Sequence, residues 1–365
     1  MNLLILLIGD NNISNYALIK FLKREEFKFD KVLCVVTNKT ESNLNNLQLL
    51  AKDEEFIKLK VEDIKGNFVK VKDKIKNKLD ELENIENIFL DFTGGLKSMS
   101  LGAYLAIDEY ELEEDKKYFS YIMYDEGKSK VVFKRGIERE LNESLTIDEI
   151  AQVHGISELE SKTQNSEFYS DDFVLWLLGK IKNSEKEFFE NLWDLDNIKS
   201  VDWKKSLVNA PVKFNIDEIS NKKLKKLQQF IKGDFLEEYI FVLLKEFKEE
   251  LNIFDITWNV KKGKDANFEV DVVASKNNNL YLFSCTTDKS KTRAKQKGFE
   301  AKERATQMGG KNAKAVLVSC IDLSQKNQLE EDLTENKGGE SPEVIVYEDL
   351  LDKEQLKNKL KDIFR

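Results

Sequence analysis

Two acids lie two residues apart in an otherwise apolar run, Phe268-Glu269-Val270-Asp271-Val272-Val273. In an extended strand alternate residues share a face, so Glu269 and Asp271 point one way and Val270 and Val272 the other. Burying two carboxylates among apolar groups is costly unless they hold a cation. Such oxygens suit hard divalent ions, Mg²⁺ or Mn²⁺, which activate water for phosphodiester cleavage. A half-exposed hairpin with both acids in water would leave the same pattern. A third acid, Glu237, follows Gly233-Asp234-Phe235-Leu236 on an amphipathic stretch. Further along, residues 288–314 carry nine Lys/Arg against three Asp/Glu, in a chain whose totals are 58 against 67, net charge -9. If that stretch is helical, Arg293, Lys297, Glu300, Arg304 and Gln307 fall on one face. The stripe can bring a lysine and a carboxylate to the acids, or it can simply neutralise nucleic-acid phosphates. Lys289 and Lys291 near the preceding strand end are competing lysine donors, and Lys291, Arg293, Lys295 and Arg304 are candidate phosphate contacts.

A second group is built on glycine. Asp91-Phe92-Thr93-Gly94-Gly95-Leu96-Lys97-Ser98 follows an apolar run and opens a helix. Two glycines let backbone amides approach a ligand, and a helix N-terminus supplies free N–H groups and partial positive charge. Lys97 adds a cation; Thr93 and Ser98 add hydroxyls. The segment is neither a P-loop nor a dinucleotide fingerprint, and a plain helix start would also use such glycines. Asp10, Asn11 and Asn12 end the first apolar run, and Thr37 and Asn38 end the second. If these runs are parallel strands, all three loops lie at one edge, where a phosphate-rich, base-bearing ligand fits.

The chain has one histidine, His154. A Ser-His-Asp triad and a multi-histidine zinc site are thereby excluded unless that residue serves. Its place before Gly155 is that of a helix C-terminus. Cys34, Cys285 and Cys320 show no CxxC spacing, and each lies in or ends an apolar run; a reduced, cytoplasmic protein with buried thiols is expected. The opening MNLLILLIGD lacks the basic start and cleavage site of a signal peptide and reads as a buried strand. No run approaches the length of a membrane span.

The elements that must position these residues alternate over roughly 1–140. Leu3 to Ile8, Lys31 to Val36, Phe56 to Val61 and Asn87 to Phe92 read as strands. They are separated by helical stretches, with closing strands at Phe119 to Tyr124 and Lys130 to Phe133. This is a doubly wound α/β pattern. Residues 141–227 read as a mostly helical connector, with Thr146 and Glu149 forming a capping box and helices at Asp171 to Lys182 and Glu185 to Leu192. Residues 228–365 form a second α/β unit. It has a helix from Gly233, a hairpin turning at Lys276-Asn277-Asn278-Asn279, a helix from about Ser290 to Met308 stopped by Gly309-Gly310, and a strand from Ala313 to Cys320.

Asp91-Phe92-Thr93-Gly94-Gly95-Leu96-Lys97-Ser98-Met99, behind a first strand ending in a polar Asx turn, resembles the CARF domain of CRISPR-associated effectors. The resemblance covers about residues 1–140. It implies a Rossmann-like domain that dimerises and binds a cyclic oligoadenylate, with cyclic tetra-adenylate the first candidate. Thr93, Gly94, Gly95, Lys97 and Ser98 match the ligand loop, with Asp10, Asn11, Asn12, Thr37 and Asn38 in the neighbouring loops. The last third resembles the PD-(D/E)xK restriction-endonuclease-like superfamily. That resemblance implies Glu237 as the helix acid, Asp271 as the central acid and Glu269 as an accessory metal ligand. Where the superfamily has its (D/E)xK pair, this chain has Ser284 and Thr286. Lys297 and Glu300 from the basic helix, or Lys289, are the candidate replacements. The combination resembles the ancillary nucleases of type III CRISPR systems. It implies a homodimeric, ligand-activated, Mg²⁺- or Mn²⁺-dependent nuclease that cuts single-stranded RNA or DNA, or nicks duplex DNA, in antiviral defence. The alternative is a catalytically inactive sensor or regulator with a degenerate nuclease fold. The metal-free HEPN ribonucleases, which also accompany CARF domains, need an Arg-x4–6-His arrangement; Glu149, Asp148 and Ile147 stand at those offsets before His154, so that rival fails.

Overall fold

A computed structural model describes residues 1–25, 27–125, 128–134, 136–183, 207, 209–215, 218–263, 265–334 and 341–365. The expected helix at 185–192 lies outside them. The chain divides into two compact units, Met1–Ser157 and Glu158–Arg365. The stretch expected as a connector is shared between them, its first helix going to the first unit and its later elements to the second.

In the first unit the strands are β1 (Asn2–Leu7), β2 (Lys31–Val36), β3 (Glu55–Lys60), β4 (Asn87–Asp91), β5 (Lys117–Asp125), β6 (Lys128–Phe133) and β7 (Ile137–Glu140). They lie in the order β3-β2-β1-β4-β5-β6-β7. The pairings from β3 to β5 are parallel, and β6 and β7 close the edge antiparallel. The apolar runs of β1 and β2 are buried on both faces, as a parallel sheet requires. Leu3, Ile5 and Leu7 join a core with Val71 and Ile75 of α3 (Phe68–Asp80) and Met99 and Ala103 of α4 (Lys97–Asp108). On the opposite face α1 (Ile13–Arg24) meets Phe89 of β4 through Phe21 and Leu22. α2 (Glu41–Leu50) and α5 (Ile147–Val153) complete the unit, and α5 carries the expected capping box between Thr146 and Glu149. The short β7, exposed along its whole length, had no apolar pattern to announce it.

The second unit holds a sheet of order β13-β12-β11-β10-β9-β8. Its strands are β8 (Leu159–Lys162), β9 (Asp255–Lys262), β10 (Asp265–Lys276), β11 (Asn279–Thr286), β12 (Lys314–Ser319) and β13 (Glu343–Ile345). β8 to β11 pair antiparallel and β11 to β13 parallel. Asn277 and Asn278 turn the β10–β11 hairpin with φ of 50° and 61°, a backbone region asparagine tolerates and a two-residue hairpin demands. The helices begin with α6 (Asp171–Lys182) and α7 (Asn221–Gln229). A π-helical turn, Phe230–Asp234, links α7 to α8 (Phe235–Glu246), which is followed by the short α9 (Lys248–Leu251). The helix expected from Gly233 is α8, which starts two residues later at Phe235, while α7 is a separate helix set off from it by the kink at Gly233 (φ 172°). α10 (Lys291–Gly309) is capped by Ser290, whose hydroxyl accepts from the Arg293 N–H. α11 (Lys326–Thr334), α12 (Tyr347–Leu351) and α13 (Lys353–Ile363) follow.

The two faces of this sheet are covered by different helices. Val272, Ala274, Tyr281 and Phe283 pack with Phe235, Leu236 and Tyr239 of α8. Ala294 of α10 packs with Leu317 and with Leu329 and Leu333 of α11 on the other side. Strand alternation therefore turns residues 269, 271, 284 and 286 toward α10.

Candidate functional site

The carboxylate group sits where β10, β11 and α10 meet. A cavity of about 350 Å³ is lined by Glu269 and Asp271 of β10, Ser284 of β11, and Lys297, Glu300 and Arg304 of α10, among others. Three of the five residues on the expected helical stripe thus line the same cavity as the acids. The other two do not: Arg293 bonds Gln296, and Gln307 bonds Arg304 and Glu303. The small face of α10, Ala294, Gly298, Ala301 and Ala305, is buried and sets the stripe close to the sheet.

Asp271 is 8 % exposed. Its Oδ2 accepts from the Cys285 backbone N–H at 2.6 Å and from the Ser284 hydroxyl at 3.4 Å. Burial raises its pKa, and Lys297 and the Cys285 N–H oppose the rise. Glu237, partly buried in the first turn of α8, is held well above the usual carboxylate range, first by burial and then by the charges of Asp271, Asp234 and Glu269. Asp234 is raised too, mainly by burial. Glu269 is exposed and paired with Lys261 at 3.1 Å. Glu238, next to Glu237, turns away and accepts from the N–H and hydroxyl of Ser166.

Among the described residues no three His, Cys, Asp or Glu side chains converge as a ready-made metal cage. Mg²⁺, however, is commonly held by one or two carboxylates, its other positions filled by water and substrate phosphate. The buried Asp271 and the partly buried Glu237, whose proton affinity the charge of Asp271 raises, are a donor set of that kind, and the two fit a hard cation.

Ser284 and Thr286, in the places of the superfamily's acid and lysine, both carry local bonds: Ser284 to Asp271, and Thr286 Oγ1 accepting from the Asp288 N–H at 3.3 Å. Lys289 donates to the Lys182 carbonyl at 3.2 Å and is not among the residues lining the cavity. Lys291 and Lys295 lie 3.4 and 3.6 Å from Asp332 of α11. Of the nominated basic residues, Lys297 and Arg304 face the cavity, and the Arg304 guanidinium lies 5.1 Å from the Phe268 ring centroid. Asp234 was missed by sequence reasoning; its position three residues before Glu237 on a helical path was the available signal.

The glycine group sits at the carboxyl edge of the first sheet. Register aligns Leu6 with Asp91 and Leu7 with Val35, so the three loops leave the sheet side by side. Gly94 lies so close to β1 that a Cβ there would stand 2.0 Å from the Leu7 carbonyl oxygen, and Gly95 has φ +75°. Only glycine satisfies both demands. Below the turn Asp91 is fully buried. It accepts from the Thr93 N–H at 3.0 Å and the Ser120 hydroxyl at 2.8 Å, and burial pushes its pKa up to about 6. The start of α4 has no side-chain cap and no acid in its first turn, which leaves its N–H groups open to an anion.

The nominated loop residues divide by what they touch. Asn12 and Thr37 are buried and serve the scaffold: Asn12 Nδ2 donates to the Asn43 carbonyl, and the Thr37 N–H donates to Thr40 Oγ1. Thr93 Oγ1 accepts from the Ile122 N–H at 2.7 Å, and Ser98 donates to the Lys65 carbonyl. Asn11 accepts from the Ile13 N–H. Asp10 pairs with Lys39, and the Asn38 N–H donates to Glu62. Lys97 is exposed and has no hydrogen-bond or ion-pair partner among the described residues. Asn15 and Asn43, not anticipated, tie the loops together by donating to the carbonyls of Leu7 and Gly9. His154 caps α5 and joins neither group; its Nε2 is buried without a partner among the described residues.

Comparison with known proteins adds to this geometry. A family model described as the Card1 CARF domain matches residues 3–150. A model of the Card1-like endonuclease domain matches residues 224–331. No curated protein gives a significant match. Among solved structures, Can2 from Sulfobacillus thermosulfidooxidans in complex with cyclic tetra-adenylate superposes with a TM-score of 0.68 at 15 % identity, covering 99 % of each chain. Protein VC1899 from Vibrio cholerae gives 0.66 at 16 % identity, over 100 % of this chain and 98 % of that one. A type III CRISPR defence DNA nuclease activated by cyclic oligoadenylate gives 0.52 at 16 % identity, over 93 % of this chain and 52 % of that one. These likenesses share the fold. The two matched domain models show that the chain carries a CARF domain of the Card1 type followed by a Card1-like endonuclease domain.

Proposed function

We propose that the chain is a metal-dependent nuclease switched by a cyclic oligoadenylate in CRISPR defence. The observation that carries the reading is the cavity in which the buried Asp271, coupled to Glu237, faces Lys297. Bound Mg²⁺ or Mn²⁺ would supply a water activated for attack on phosphorus. The chain's own groups do the rest. The Cys285 N–H and Ser284 hydroxyl orient Asp271. Lys297 offers positive charge beside the acids, in place of the lysine missing at Thr286, and Arg304 stands ready for a flanking phosphate. Glu300 is the exposed carboxylate available as the second acid.

The glycine loop is the proposed ligand site, with open amides at the start of α4 and Lys97 free to meet phosphate. Cyclic tetra-adenylate, the ligand bound in the Can2 structure, is the first candidate. Leu96 and Leu101 beside the loop are 48 % and 45 % exposed, an apolar surface that a second copy of the chain would cover. A cyclic ligand shared by two copies favours the arrangement that contacts it from both sides. The three cysteines are all buried and free, in keeping with a cytoplasmic setting. No described helix is long and apolar enough to cross a membrane.

The test is cleavage of single-stranded RNA, single-stranded DNA and plasmid by the full chain with cyclic tetra-adenylate and Mn²⁺ or Mg²⁺. Cutting is expected, stopped by EDTA and by Asp271→Ala, with ligand binding kept by the variant. The second reading, an inactive regulator, is favoured by the bonds that occupy Ser284 and Thr286. Intact substrates under every condition would establish it.

A further inference from the structure

Helix α7 reads NKKLKKLQQ and contains no acid. Lys222, Lys225 and Lys226 are exposed, as is Lys232 in the turn that follows, and none of the four has an ion-pair partner among the described residues. Lys223 alone is paired, with Glu167 at 2.6 Å. This distribution does nothing for the helix itself. Lys222 and Lys223 occupy the first turn, where the helix dipole disfavours cations. Lys222 with Lys226, and Lys222 with Lys225, are like charges at neighbouring surface positions, which repel. The apolar side is used up: Leu224 and Leu227 are 3 % and 0 % exposed, so no free apolar face remains to enter a lipid surface.

The ridge is joined to the acids through continuous chain. α7 passes through the π-helical turn Phe230–Asp234 directly into α8. Phe230 and Ile231 are buried in the same core as Phe235 and Leu236. Lys222 and Lys226 lie about one turn apart along α7, roughly 6 Å at 1.5 Å per residue, and a break in the helical path at Gly233 (φ 172°) separates α7 from the first turn of α8, which carries Glu237. At about 3.4 Å per phosphate along one strand, the ridge itself has room for two or three phosphates. Resting on the nuclease reading above, we infer that the exposed ridge of α7, with Lys232, is a second nucleic-acid backbone contact for the substrate whose cleavage is assigned to Asp271 and Glu237. It reads charge and not sequence, because lysine meets phosphate as a point charge.

The test uses the full chain carrying Asp271→Asn, so that binding is read without cutting. Labelled 20-nucleotide oligo(dT) and oligo(U) are titrated over a range of salt concentrations, with and without cyclic tetra-adenylate. Adding Lys222→Gln, Lys225→Gln, Lys226→Gln and Lys232→Gln together is expected to lower the salt slope of log K by close to 3, about 0.7 for each lysine. Affinity near 0.1 M salt should fall roughly tenfold or more. The matching four Lys→Arg changes should restore it. If the combined variant does not fold, Lys222→Gln and Lys226→Gln singly should each lower the slope by about 0.7. Unchanged affinity and slope in the variants, with the parent binding well, would overturn the inference and leave the nuclease reading standing. A parent that binds neither strand under any condition would also overturn the inference, while the nuclease reading stands or falls by the cleavage assay above, plasmid included.

Discussion

Asp91 shows how one residue's chemistry depends on its address. In DFTGG it reads as a polar strand end, yet it is fully buried, with two donors on its carboxylate and a pKa near 6. A carboxyl held above its unfolded value favours the folded state most when protonated. That contribution is complete below the unfolded value of 3.8 and is lost as pH rises through about 6. Relative to Asp91→Asn, the wild-type chain should therefore lose roughly 2–3 kcal/mol between pH 4 and pH 7, measured by urea unfolding across that range. A pH-independent difference would show that Asp91 is not desolvated as described. Asp271, by contrast, was a candidate from its neighbours, though the same pattern allowed an exposed acid, as Glu269 is. An acid flanked by Val270 and Val272 in a strand demands an explanation that a surface acid does not. Its partner Lys297 was legible only as one of several candidates, because nothing in a one-dimensional pattern separates Lys297 from Lys289 or Lys291. Rotation about the α10 axis does: one lysine faces the cavity and the others turn to Asp332 and the Lys182 carbonyl.

Whole elements carry the next set of consequences. The Thr93–Lys97 turn works because β4 ends against β1 with no side chain between them. Gly94→Ala would drive a methyl into the Leu7 carbonyl. It is expected to destabilise the first unit by about 3 kcal/mol and to abolish binding of cyclic tetra-adenylate. Gly66→Ala, with nothing within 4 Å of the added Cβ, is the neutral control; chemical denaturation and calorimetric titration read both. Long apolar strands and capped helices were readable because their signals are local: burial on both faces for β1 and β2, the Thr146–Glu149 box for α5, the Gly309–Gly310 stop for α10. The elements missed have no such signal. β7 is exposed along its length, β8 nearly so, and both are held by pairing with a neighbour. Gly233 reads as a boundary and is one: its backbone is non-helical (φ 172°) and separates α7 from α8.

At the scale of the molecule the proposed switch needs two copies. Leu101→Glu on α4 should shift sedimentation at micromolar concentration toward the monomer and weaken ligand binding; a variant that sediments as the parent does would place the self-association surface elsewhere. The net charge of -9 says little about nucleic acid, since α7 holds four lysines and no acid, and α10 six Lys/Arg against two acids, a local excess that the total conceals. Composition and local pattern by themselves determined that the chain holds two α/β assemblies, that no site can draw on more than one histidine, and that a glycine turn and a strand acid are its two candidate chemical centres. These follow from residue type and from periods of two and about 3.6, which every segment carries within itself. Which lysine meets Asp271, which loop side chains are committed to the scaffold, and where the chain divides were decided by tertiary structure alone, because each depends on the direction of a side chain relative to residues far away in sequence.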